Sequence, residues 1–153
     1  MLPDRPITVP RPAPRRHPRR AAVRAALLAA GLALALPAAG GFTEGMTAFE
    51  AGEYGSALQE WITPASSGDV KSLYGLGTLY AGGLGVPQDF ITAHVLFNVA
   101  AFKGDSQSAS ARDAVEAKMT PDQLRTAKNQ VLPLVEQRQW VPSHVVQAAQ
   151  AAG

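Results

Sequence analysis

From residue 42 onward apolar positions recur three and four apart, and no stretch of useful length alternates apolar and polar in the two-residue rhythm of a strand. Leu73, Leu76, Gly77 and Tyr80 fall at i, i+3, i+4 and i+7, one face of a helix. Phe90, Ala93, Phe97, Ala100 and Ala101 make the next stripe. Asp69, Asp89 and Asp105 each stand just ahead of such a segment, where a side-chain oxygen can accept from the free N–H groups of a first helical turn. Thr120-Pro121-Asp122-Gln123 is a start signal of its own: Thr as cap, Pro in the first turn, Gln at capping-box spacing. About six helices are predicted, near 43–51, 54–67, 70–81, 90–103, 106–118 and 121–132. Pro64 and Pro133 should end or kink their helices. The Ala/Gln-rich end, residues 141–153, is expected to be a flexible tail.

The pattern also repeats. Ala57, Trp61, Ala65, Gly68 and Asp69 recur 36 residues later as Ala93, Phe97, Ala101, Gly104 and Asp105, and Tyr54 recurs as Phe90. Just upstream, Phe49 and Gly52 match Tyr80 and Gly83 at an offset of 31. The difference is an insertion in the second unit's turn, residues 82–88. Each helix pair can bury one face alone, so the units are expected to stack, with Gly77, Ala93 and Ala101 allowing close approach.

Ahead of this region the chain is different in kind. Residues 1–24 are rich in Arg and Pro; 25–36 are an uncharged run of Ala, Leu and Gly; Pro37 and small residues follow. That order describes a secretory signal peptide over 1–40, cleaved after Gly40 or Gly41, and a periplasmic or secreted protein. The alternative is an inner-membrane anchor, for which the apolar run falls short of the ~20 residues a span needs. Arg19-Arg20 raises the twin-arginine route, with Ala22 and Val23 where that signal prefers bulkier residues. The membrane would then be met only transiently, during export.

Charge changes the picture next. The chain's formal charge is +2, but seven of its fourteen basic residues lie at or before Arg24. From residue 42 on, seven Lys/Arg stand against eleven Asp/Glu, a formal −4. An acidic body without a Lys/Arg cluster excludes polyphosphate ligands, nucleic acid among them. The absence of Cys excludes disulfides, thiolate metal sites and thiol nucleophiles.

The run Leu76-Gly77-Thr78-Leu79-Tyr80-Ala81-Gly82-Gly83-Leu84-Gly85-Val86-Pro87-Gln88-Asp89-Phe90 resembles the signature of Sel-one-like repeats: a helix ending in LG-x-x-Y, a G-x-G-V loop, then Q-D-aromatic opening the next helix. Ala93, Phe97, Ala100, Ala101 and Gly104 fit its second half. The preceding unit resembles the related tetratricopeptide helix pair, with Ala51-Gly52-Glu53-Tyr54 as its turn, and the run to Met119-Thr120-Pro121 is similar to a closing segment. The resemblance implies a repeat domain over 41–140: a short α/α superhelix, or solenoid, of the kind that serves as a protein-interaction scaffold. In such stacks the first helix of each pair lines the concave side. Glu44, Thr47, Lys71, Gly75 and Thr78 are then the positions that would meet a protein or peptide partner. Trp61, Gly77, Tyr80, Gly83, Gly85, Asp89, Ala93, Phe97, Ala101 and Gly104 would define the repeat structurally.

Candidate chemistry is thin beside this. The glycine-rich loop at 82–86 has no Lys of a phosphate-binding loop, and Asp89 would oppose a phosphate, so it is expected to be a turn. His94 and His144 pair with no acid at metal-ligand spacing; His94 is expected at the edge of a packed stripe, and neither metal nor cofactor is expected. Glu50, Glu53 and Glu60 have no apolar pocket to tune them as an acid and base. Trp140 lies outside the repeat, either capping the last helix or exposed for binding; Arg112-Asp113 is a candidate ion pair between units. A non-catalytic interaction module is therefore expected. Its rivals are an envelope enzyme or enzyme accessory acting on cell-wall material, and a structural protein that self-assembles through its ends.

Overall fold

The computed structural model describes residues 41–152, and the expected signal peptide and its cleavage sites up to Gly40 lie outside the described residues. Among the described residues the fold is all-α: seven helices and no strand. They are α1 (Phe42–Glu50), α2 (Tyr54–Ser66), α3 (Val70–Gly82), α4 (Phe90–Phe102), α5 (Ser106–Glu116), α6 (Pro121–Glu136) and α7 (Ser143–Ala151). None of them is long and apolar enough to cross a membrane.

The starts follow from capping chemistry. Asp69 accepts from the backbone N–H and the hydroxyl of Ser72, and Asp105 accepts in the same way from Ser108. These two caps sit 36 residues apart, and both serines are fully buried, so the repeat extends to its polar contacts. Asp89 caps α4 through Ile91, Thr92 and the Thr92 hydroxyl. Thr120 and Gln123 form the full capping box at the start of α6. Gly68 and Gly104, also matched, take φ of 88° and 99° in the turns that precede the aspartates, a left-handed conformation that costs glycine little.

Sequential helices pack on one another from α1 through α5; α1 also reaches α3, and α6 lies on α4. The core is built from Leu58, Trp61, Leu73, Leu76, Leu79, Leu96 and Val99, all at most 1 % exposed. Fully burying each such aliphatic side chain contributes about 1.5–3 kcal/mol. The expected single stripe on α4 is corrected: its thirteen residues carry no charge, and Thr92 through Phe97 are all buried. A helix buried on every side has lost its amphipathic pattern because it is the centre of the packing.

Expectations at the C-terminal end are also corrected. There are seven helices rather than about six, because the expected tail forms α7, which packs on α2 with Val145 and Ala149 buried. Short length and low complexity suggested fraying, but two apolar side chains four apart suffice to dock a short helix. Pro133 does not end α6, which runs on to Glu136; Pro64 lies two residues before the end of α2. Trp140 neither caps a helix nor stands free: its ring lies against Gly68, with the Lys103 ammonium 4.3 Å from its centroid. Arg112 and Asp113 pair at 2.7 Å as neighbours within α5, so they join no two units. In the long turn Val86 packs on the core while Pro87 stays exposed.

Candidate functional site

A groove of about 310 Å³ runs across α1, α3 and the start of α5. Phe42, Met46 and Phe49 supply one wall at i, i+4 and i+7 of α1, and Lys71, Tyr74, Gly75 and Thr78 supply the other at i, i+3, i+4 and i+7 of α3. Asp105 and Gln107 close one end. The floor is Trp61 from α2, only 1 % exposed. Its indole N–H donates to the Phe42 carbonyl at 3.1 Å, and its ring stacks on Phe42 and tilts against Phe49 at 6.1 and 5.7 Å between centroids.

Two glycines make room for that ring. A Cβ on Gly45 would lie 2.3 Å from Trp61, and one on Gly75 would lie 2.6 Å from it. Trp61 is therefore held between its own hairpin's first helix and that of the next. Phe97, its counterpart 36 residues on, lies over Gly77, where a Cβ would come within 2.6 Å. Tyr80 and Ala93 complete this layer at 5 % and 0 % exposure, while Ala101 is half-buried. Burial first, and then the nearby Asp89 carboxylate, push the Tyr80 phenol above its ordinary value, so it stays protonated in the core.

Of the five positions assigned to a partner-facing side, Lys71, Gly75 and Thr78 line the groove; Glu44 and Thr47 are exposed on α1 and do not. Gly75 offers the groove only backbone. The Thr78 hydroxyl donates to the Tyr74 carbonyl at 2.9 Å, and the Thr47 hydroxyl to that of Thr43 at 3.0 Å. Lys71 holds its ammonium 5.6 Å from the centre of the Phe42 ring. The groove residues that sequence reasoning passed over are Phe42, Met46, Phe49, Tyr74, Asp105 and Gln107. Their apolar spacing on α1 was visible, but a stripe turned to solvent reads the same as one turned to the core until neighbouring helices are placed. Met46 is 37 % exposed.

None of the glutamates considered as catalytic candidates lines the groove. Glu50, Glu53 and Glu60 line neither this groove nor a second cleft of about 440 Å³ between α2 and α7, which Gln59, Thr63, Ser66 and Gln150 border without any charged side chain. Asp105 is the groove's one carboxylate, and its Oδ2 is engaged with Ser108. Among the described residues no three His, Asp or Glu side chains group to hold a metal ion.

The histidines are placed differently from the expectation. His94 is not at an edge but fully buried in α4, and its Nε2 meets the Glu116 carboxylate of α5 at 3.3 Å. Glu116 in turn meets Lys128 of α6 at 3.5 Å. His144 of α7 reaches the Thr92 hydroxyl at 2.9 Å, and Thr92 donates to Asp89. Comparison with protein-family models, with curated proteins and with solved structures finds no match to this chain.

Proposed function

We propose that the chain is a non-catalytic interaction module of the periplasm or cell envelope, a short α/α superhelix of the Sel-one-like kind that docks a protein or peptide in the groove over Trp61. One observation carries this reading: the groove's two walls come from α1 and α3, the first helices of two successive hairpins, with the start of α5 at one end. An open, aromatic-floored groove with one engaged carboxylate suits an apolar anchor side chain better than it suits bond-making. The surface is small, so affinity on the order of micromolar is expected.

Selection of displayed peptides on the full chain tests it. Enriched peptides should carry a bulky apolar residue, and Met46→Asp or Thr78→Arg should weaken them at least ~tenfold with helicity unchanged by circular dichroism. Glu44→Ala and Thr47→Ala should bind as before. Failure to enrich any peptide, or equal binding by the groove variants, would sink the proposal. Gly75→Ala is a poor probe, since the added methyl meets Trp61.

A further inference from the structure

We propose that His94 is an acid-sensitive latch: as a neutral ring it lets α5 and α6 close on α4, and on taking up a second proton it loosens them. The geometry is a chain across three helices. His94 of α4 is fully buried, its Nε2 lies 3.3 Å from Glu116 of α5, and Glu116 lies 3.5 Å from Lys128 of α6. An ionised carboxylate only accepts, so the ring proton facing it must be on Nε2. Nδ1 then carries a bare lone pair, and it is the one buried side-chain nitrogen or oxygen among the described residues without a hydrogen-bond partner. Acid adds its proton at that atom, placing a charged N–H in the interior with nothing to accept it.

The surroundings decide which way the ring leans. Burial pushes it below its ordinary value, outweighing the Glu116 hydrogen bond and charge, which pull it up; Arg112 of α5 and Lys128 of α6 push it further down. α3 also packs on α4 and brings Lys71, Tyr74 and Tyr80, none of which bears on the ring. His144 of α7 touches α4 two residues away, at Thr92. A folded value below the unfolded one means that the stabilisation is full above about pH 6.5 and falls as pH drops through that value toward the folded one. The Glu116 carboxyl is held below its ordinary value by its hydrogen bond to His94 and then by Lys128, so it stays ionised through this window. α5 and α6 are the elements that should respond, because each buries little else: Ser108 and Val115 in α5, Ala127 in α6.

The test uses the full chain and its His17→Gln/His144→Gln double variant, which leaves His94 as the single histidine and so assigns its resonance. The Cε1–H resonance of His94 is followed by NMR from pH 8 to 5, and amide exchange, corrected for intrinsic rates, is compared at pH 7.5 and 5.5. Expected are titration of His94 below the ordinary histidine value and a selective loss of protection in α5 and α6, up to about tenfold for each pH unit by which the ring is lowered. His94→Gln, which keeps a donor toward Glu116, should show no selective loss. Titration at or above the ordinary value, or a loss shared equally by α1 and α2, overturns the proposal. Both readouts come from chains retaining His94, so the test stands even where His94→Gln does not fold.

Discussion

The hairpins formed by α1 to α4 and the three helices that follow are held by different means. In the first region large rings are set on glycines: Trp61 between Gly45 and Gly75, Phe97 on Gly77. In the second region α5, α6 and α7 bury only Ser108, Val115, Ala127, Val145 and Ala149, and polar links to α4 add to the contact: His94 to Glu116, which in turn meets Lys128, and Thr92 to His144. Apolar interdigitation is worth several kcal/mol at a single residue, whereas a hydrogen bond contributes about 0.5–1.5 kcal/mol net. The C-terminal helices should therefore open first, and the groove sits mainly on the rigid region.

The largest effect should come from Trp61→Ala. It empties the space between two hairpins and should cost about 3–5 kcal/mol in urea unfolding, enough to threaten folding altogether. Next is Gly75→Ala. In an open helix this change gains about 1 kcal/mol, but here the methyl meets the indole, so a net loss of about 1–2 kcal/mol is expected. The same change in a Trp61→Ala background should turn neutral or favourable; a sign that stays negative there would mean that the ring is not what excludes the methyl. Asp69→Ala and Asp105→Ala should each cost about 0.5–2 kcal/mol, and by similar amounts, since both cap a first turn and satisfy a buried serine. Smallest is Arg112→Ala, below about 0.5 kcal/mol, because its pair is local and its partner Asp113 is exposed.

The same division explains what could be read beforehand. Trp61, Phe97, Gly77, Tyr80 and Ala93 were legible because packing of rings on small residues leaves a repeating imprint, and the aspartate caps because each is local to its own helix start. The matched serines, Ser72 and Ser108, carry the same 36-residue spacing and were open to the same search. His94–Glu116 and Thr92–His144 were not legible: they join residues 22 and 52 apart with no periodicity. α7 was missed because a nine-residue segment has little propensity of its own, and its helix depends on docking against α2. The groove was half legible. All five positions came from the concave side that the resemblance implies: α3's Lys71, Gly75 and Thr78 line the groove, Glu44 and Thr47 lie on a face of α1 outside it, and Phe42, Met46 and Phe49 were not assigned to it.

The most direct test of the docking groove is NMR shift mapping of the ¹⁵N-labelled chain with a peptide selected against it. The expected perturbations fall on Met46, Phe49, Lys71, Tyr74, Thr78 and Gln107, together with the Trp61 indole N–H. Perturbations gathered instead on Gln59, Thr63 and Gln150, in the cleft between α2 and α7, would contradict it.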